Sequence, residues 1–291
     1  MIHFDLHIHS AFSDGALFPG DLVAKARCLE LTTIALTDHD TMAGVPEAMA
    51  QGALQGITVL PGIEISAWHD NRAVHILGYG LRSDYPPLQR GLQTIQQARH
   101  TRNLAMLDKL QALGLPVTHA ELAGLAHGQV GRPHIARLLR QKGVVRSHEE
   151  AFARFLVKGA KAYVARQQFP TLAAIRLIRE AGGLAILAHP ASLDPSLNAL
   201  PAILPALQAE GLAGLEAFYP SHTPRMGSRL VELARLHGLL VSGGTDFHER
   251  PTWEELLARM KIPFSNPDEF VYWTQQLPLP ASGVQESAGN N

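Results

Sequence analysis

Short apolar runs recur along this chain, and nearly every one carries or ends in a histidine or a carboxylate. The runs fall at residues 2–8, 33–37, 58–65, 74–78, 184–188, 214–218 and 239–243, and segments of helical periodicity lie between them. That alternation predicts βα units around a parallel sheet, with hairpin connections less consistent with the spacing. Helices are expected over 19–31, with Pro19 near the start, and over 45–54. A chain of 291 residues is long enough for one α/β barrel carrying an inserted subdomain.

The rhythm breaks between residues 88 and 166. Leu88, Leu92 and Ile95 begin a long helix that reaches Leu113, where Gly114 stands as its stop. Ile135, Leu138 and Leu139 indicate a second helix, and Ala151, Phe155 and Leu156 a third. So long a stretch between two strands is too long for a loop in a compact domain. The expected organisation is therefore a discontinuous barrel, 1–87 and 167–276, with a helical substrate-capping insert at 88–166. The Pro-, Gly-, Ser- and Asn-containing tail 277–291 is expected to fray.

Composition narrows the function classes. The formal net charge is −1, so nothing global draws the chain to nucleic acid or anionic membrane, and a polyanion would have to meet a local patch. The single cysteine, Cys28, excludes an internal disulfide and is expected as a small buried hydrophobe beside Leu22 and Leu29. No signal-peptide pattern opens the sequence, and no apolar run nears the about 20 residues that span a bilayer, so a cytoplasmic protein is expected, with no membrane and no obligatory protein partner. The unusual figure is 15 histidines. Histidine is the commonest metal ligand and the usual acid or base near neutral pH.

Their placement is what matters. In Asp5-Leu6-His7-Ile8-His9 strand alternation throws His7 and His9 to one side, and Asp14 follows in the next loop. The second run exits through Thr37-Asp38-His39-Asp40. Glu64 sits in an otherwise apolar third run, where a bare carboxylate is costly unless a cation is near. His75 lies among aliphatics, His189 ends the run 184–188, and Asp246 and His248 repeat the alternate spacing of the first strand. Any one of these histidines reads best as an ordinary core or surface residue; the set does not. Barrel active sites are built at the C-terminal ends of the strands. His7, His9, His39, His75, His189 and His248 with Asp14, Glu64 and Asp246 make a ligand set that three metals sharing carboxylates accommodate better than two. Imidazole and carboxylate without thiolate suit Mn first, with Fe or Zn as alternatives, rather than Ca. Glu64, Asp246 and His248 are the catalytic candidates.

Asp5-Leu6-His7-Ile8-His9-Ser10, Ser13-Asp14-Gly15, Thr37-Asp38-His39-Asp40, Gly62-Ile63-Glu64 and Gly244-Thr245-Asp246-Phe247-His248 together resemble the polymerase and histidinol phosphatase (PHP) family over almost the whole chain. The resemblance implies a distorted (β/α)7 barrel, a trinuclear metal site at those ligand positions, and phosphoester hydrolysis. Gly131-Arg132-Pro133-His134-Ile135-Ala136 and Gly159-Ala160-Lys161-Ala162-Tyr163-Val164 are similar to the subgroup that hydrolyses nucleoside 3′,5′-bisphosphates and acts as a 5′→3′ exonuclease on short RNA or DNA.

The insert offers substrate contacts on its own terms. Arg132 and His134 open a helix with Pro133 in its first turn, a place suited to an anion. Arg99, Arg102 and Asn103 share a helical face, with a solvated face the competing reading for Arg99. Lys158, Tyr163, His222 and Arg225 are weaker candidates. Three other functions stay open at this level: a histidinol-phosphate phosphatase, an amidohydrolase acting on C–N bonds, and a non-catalytic metal-binding module. Asp14, His39 and His248 argue against the second, and the complete ligand set against the third.

Overall fold

A computed structural model describes residues 4–70, 72–125 and 127–260. Seven strands form one sheet in sequence order: β1 (Phe4–Ile8), β2 (Thr33–Leu36), β3 (Thr58–His69), β4 (Arg72–Tyr79), β5 (Leu184–Leu187), β6 (Leu212–Phe218) and β7 (Leu240–Gly243). The sheet curls until its ends meet. Ile8 bridges Phe247 just past β7, the His9 amide donates to the Phe247 carbonyl at 2.9 Å, and the Asp246 amide donates to the His7 carbonyl at 2.7 Å. Gly244 permits this closure, because a Cβ there would stand 2.3 Å from the His7 Cβ.

Helices α1 (Pro19–Cys28) and α2 (Val45–Gln55) follow β1 and β2, each with proline in its first turn. Helix α3 (Pro86–Ala112) crosses into the insert, which adds α4 (His119–Ala123), α5 (Arg132–Gln141) and α6 (His148–Ala151), the last running into a π turn at Phe152–Leu156. Helices α7 (Thr171–Glu180), α8 (Leu200–Ala209), α9 (Pro224–Leu236) and α10 (Trp253–Arg259) return to the barrel. Helix α3 serves two cores. Leu88, Leu92 and Ile95 pack with the barrel aliphatics, whereas Met106, Leu107 and Leu110 pack with Ile135, Leu139, Phe155 and Leu156. Gly114 ends it at φ +75°, a left-handed stop that glycine adopts without strain.

Three expectations need correction. The sheet is not wholly parallel: β4 runs antiparallel to both β3 and β5. A hairpin at Asp70 joins β3 to β4, so one sheet-only connection exists, and β3 is long because its outer half pairs with β4 rather than stopping at the barrel rim. Cys28 is exposed, since α1 turns its Leu22, Val23 and Ala26 face to the core and leaves Cys28 outside. The expected tail 277–291, residues 261–276 that were expected in the barrel, and Ile2 lie outside the described residues. Among the described residues, no helix is long and apolar enough to cross a membrane.

Candidate metal centre

The reversal of β4 decides where the site can be. Histidines from the C-terminal ends of β1 and β5 and from the exit of β7 meet His75 from the first half of β4, because the start of an antiparallel strand lies at the same rim as the end of its neighbours. In register, His75 stands opposite Ser66, two residues past Glu64.

Glu64 is the hub. It is fully buried, and its carboxylate lies within reach of five imidazoles: 3.4 Å from His7, 3.3 Å from His9, 2.8 Å from His39, 2.8 Å from His75 and 3.1 Å from His189. Asp246 stands 3.0 Å from Nε2 of His9 and 3.3 Å from Nε2 of His7. Asp14 stands 3.1 Å from His248 and 3.9 Å from both His9 and His39. The chain thus brings together all nine ligand candidates.

Short separations alone do not make hydrogen bonds here. His7 Nε2, His9 Nε2, Asp14 Oδ1, His39 Nδ1, Glu64 Oε2, His75 Nδ1 and Asp246 Oδ1 are all buried and hydrogen-bond nothing. Such orphaned atoms are expensive in a protein interior. These residues instead bring ligand atoms within 4.8 Å of one another. Two ligand atoms each about 2.1 Å from one ion stand about 3.0–3.4 Å apart, and six of the cluster's contacts fall in that range while others lie between 2.8 and 3.9 Å. The ligand atoms fall into overlapping groups, His9–Asp14–His39–His248, His7–His9–Glu64–Asp246 and His39–Glu64–His75, which share His9, His39 and Glu64. The residues fit divalent cations. Without cations the imidazoles would divide: burial opposes charge on His9, but Asp246 and Glu64 outweigh it and lift it to about 10, whereas burial pulls His75 down to about 4.

Behind these groups stands a layer that the sequence reading passed over. Glu216, fully buried in β6, accepts from His7 Nδ1 at 2.9 Å and from the His189 amide at 2.7 Å. Its signal was the one that marked Glu64, a carboxylate inside an apolar strand. Asp5 accepts from the Thr245 amide at 2.9 Å and from Trp253 Nε1 at 2.7 Å, which ties β1 to the β7 exit. Asp38 accepts from the Ser10 amide at 2.7 Å and from Ser13 Oγ at 2.6 Å, and so clamps the loop that carries Asp14. Tyr219 donates to Asp246 Oδ2 at 3.0 Å. Asp40, His189 and Asp246 adopt φ of 57°, 27° and 55°, a region that residues with side chains rarely occupy, as do Glu30, Asp70 and Leu197 elsewhere.

Beside the cluster lies a group of arginines. Arg99 is buried rather than solvated, and it pairs with Asp40 and donates to Ser66 Oγ at 2.9 Å. Arg166 reaches the same Asp40 oxygen at 3.3 Å. Burial, and then the charges of Arg132, Arg166 and Arg99, push Arg102 down to about 9. Burial and Arg99 push Arg166 down to about 10 in spite of Asp40. Two guanidiniums, Arg99 and Arg166, therefore share the Asp40 carboxylate, and Arg102 and Arg132 stand close enough to repel them.

The other substrate candidates are placed as follows. His134 is buried, and its Nδ1 accepts from the Gly131 amide at 3.1 Å, so it caps its own helix. Burial pulls it down to about 4, which makes it a neutral ring and not a cation in the anion site. Arg102 Nε donates to the Val164 carbonyl at 3.2 Å, and Asn103 Nδ2 to the Val130 carbonyl at 2.8 Å. Arg132 lies over the Phe152 ring, 5.5 Å from its centroid. Tyr163 is half-buried, and its carbonyl accepts from Lys109 at 2.7 Å. His222 is half-buried, hydrogen-bonds the Ala217 carbonyl at 2.9 Å and packs on Tyr219, beside the cluster. Lys158 and Arg225 are exposed.

Comparison with known proteins agrees with this geometry. The model of the PHP domain family matches residues 5–167. A 5′-3′ exoribonuclease of Haemophilus influenzae is 35% identical over 87% of this chain and 92% of that protein. A 3′,5′-nucleoside bisphosphate phosphatase of Chromobacterium violaceum is 32% identical over 90% of this chain and 99% of that protein. The solved structure of a candidate metal-dependent phosphoesterase from Bifidobacterium adolescentis superimposes with a TM-score of 0.79 at 31% identity, covering 89% of this chain and 97% of that one. With its ligand motifs, curled sheet and relatives in agreement, the chain belongs to the PHP domain family.

Proposed function

We propose that the protein is a metal-dependent phosphoesterase that removes the 3′-phosphate of nucleoside 3′,5′-bisphosphates to leave 5′-monophosphates, and that it also shortens 5′-phosphorylated RNA or DNA oligonucleotides from the 5′ end. The observation that carries this reading is the neighbourhood of two unlike groups: a histidine–carboxylate cluster and four mutually repelling arginines, of which only Arg99 and Arg166 pair with Asp40. A bisphosphate needs both, because one phosphate must meet the cluster and the other must meet fixed positive charge.

The cluster residues would hold divalent ions, three per chain with Mn favoured and Fe or Zn also suited. When bound, such ions supply a water acidic enough to attack near neutral pH and neutralise charge on the phosphoryl oxygens. The chain's own residues do the rest. Glu64, Asp246 and His248 frame the reacting phosphate. Glu216 fixes Nδ1 of His7 as the protonated nitrogen and leaves Nε2 free as a ligand. Arg132, Arg102 and Arg166 receive the second phosphate, and guanidinium forks can bind it through paired hydrogen bonds. Asp40 neutralises only part of that charge, so the arginine group keeps a net attraction for an anion. In the insert, 88–166 acts as the cap that carries these arginines over the barrel rim. Histidinol phosphate fits less well, since its own cationic groups would face the arginines.

The deciding experiment compares kcat/KM for adenosine 3′,5′-bisphosphate, 3′-AMP and histidinol phosphate, with phosphate and ammonia release followed in parallel. The bisphosphate should be preferred, and only phosphate should appear. A preference for histidinol phosphate, or release of ammonia from an amide panel, would overturn the assignment.

A further inference from the structure

A second cationic cleft opens beside the cluster. It has a volume of about 460 Å³, its inner wall includes Asp14 and His248, and its outer wall includes Arg137, Arg140, Arg146 and Arg250. Arg137 is 3.7 Å from Glu249, which also lines the cleft, as does Glu149. All three of Arg140, Arg146 and Arg250 are exposed, and the Arg146 amide donates to the Glu150 carboxylate at 2.8 Å. Phe152 links the two cationic regions, because its ring lines this cleft and also lies under the Arg132 guanidinium.

A nucleoside bisphosphate has no use for this cleft. With its 5′-phosphate on Arg102, Arg132 and Arg166 and its 3′-phosphate at the cluster, the molecule ends at Asp14 and His248. An oligonucleotide continues beyond that phosphate. We propose that the cleft is the subsite for the nucleotides 3′ of the scissile bond of a single-stranded oligonucleotide, with Arg140, Arg146 and Arg250 holding backbone phosphates and Phe152 offering a face for a base. This rests on the phosphoesterase reading above and adds to it the path of the chain. Phosphate neutralisation by arginine and stacking on an aromatic ring are the usual sequence-tolerant means of holding a single strand. In the reaction, water oxygen bonds to phosphorus, the P–O3′ bond breaks and the 3′ oxygen leaves with a proton. The phosphate stays on the departing strand as its new 5′ end. That end emerges beside the arginines that receive a 5′-phosphate, so the strand is ready for the next round.

The test uses the full chain with metals bound and the double variant Arg140→Gln/Arg146→Gln. Both side chains are exposed and outside the mononucleotide contacts, so turnover of adenosine 3′,5′-bisphosphate should stay within about twofold of wild type. Turnover of a 5′-phosphorylated tetra-adenylate should fall by roughly tenfold or more, chiefly through KM, and the salt dependence of KM should weaken. Binding of a 3′-labelled phosphorothioate tetranucleotide, read by anisotropy, should weaken by a similar factor. Arg250→Gln provides an independent variant should the double variant fold poorly. Unchanged oligonucleotide affinity and turnover, or an equal loss on both substrates, would overturn the subsite. If wild type hydrolyses neither substrate yet the variant still loses oligonucleotide binding, the cleft stands and the phosphoesterase reading falls.

Discussion

Glu216 accepts a hydrogen bond from Nδ1 of His7 across 2.9 Å, and both side chains are fully buried. The same carboxylate accepts from the His189 amide, so one residue of β6 orients ligands on β1 and β5. Glu216→Gln keeps the shape and removes the charge. Metal affinity should fall by roughly ten- to a hundred-fold, as for other partners of ligating histidines, with the fold retained. Titration with Mn, followed by activity and by bound metal, checks this. Wild-type affinity in the variant would show that Glu216 is only a packing residue.

Asp246→Asn should nearly abolish turnover while the protein stays folded. The carboxylate stands 3.0 Å from His9 and 3.3 Å from His7 and carries an oxygen with no hydrogen bond, as the proposed cation-holding role requires. Circular dichroism and metal content should be measured alongside kcat. Normal rates with metals in place would remove Asp246 from the centre.

Removing the metals should inactivate the enzyme. Mn should restore activity at least as well as Zn, given a ligand set of imidazoles and carboxylates with no thiolate. Stability should fall too, because buried carboxylates and imidazoles would lose the ions that bind only the folded chain. Full activity after exhaustive chelation, with metal content verified, would contradict the reading.

Arg132→Ala should erase most of the preference for adenosine 3′,5′-bisphosphate over 3′-AMP. A charge-assisted contact is worth about 1.5–3 kcal/mol, which corresponds to roughly a ten- to hundred-fold change in the kcat/KM ratio. The rate on 3′-AMP should change little. Equal ratios in variant and wild type would pass the role to Arg102 or Arg166.

Asp40→Asn tests the arginine group from the other side. Asparagine tolerates the φ of 57° at this position, so the turn survives and the charge goes. Arg99 then loses its charged partner and keeps the hydrogen bond to Ser66 Oγ while staying buried. Breaking a buried pair in this way costs about 3–5 kcal/mol. Denaturant unfolding should show a clear loss of stability. An unchanged midpoint would mean that solvent or another group compensates Arg99.

The residues that form the cluster were legible because local chemistry suffices to mark them. His7 and His9 share a strand face by alternation alone, and a glutamate amid Ile63 and Ile65 announces that something offsets its burial. The long helix and the stop at Gly114 follow equally from local pattern. Arg99 misled because its helical face carries polar neighbours, and the carboxylate that buries it lies 59 positions away on another element.

The sequence by itself therefore determined which residues could bind cations, and that most strands would deliver them to one rim. Strand periodicity and the cost of burying charge act within a few residues, so they can be read from order alone. Only the tertiary structure decided that β4 runs backwards, that Glu216 stands behind His7 from 209 positions away, and that Asp40 gathers Arg99 and Arg166. Those choices depend on which surfaces meet once the sheet curls and the insert folds over it. Spacing along the chain carries no record of a contact made through space.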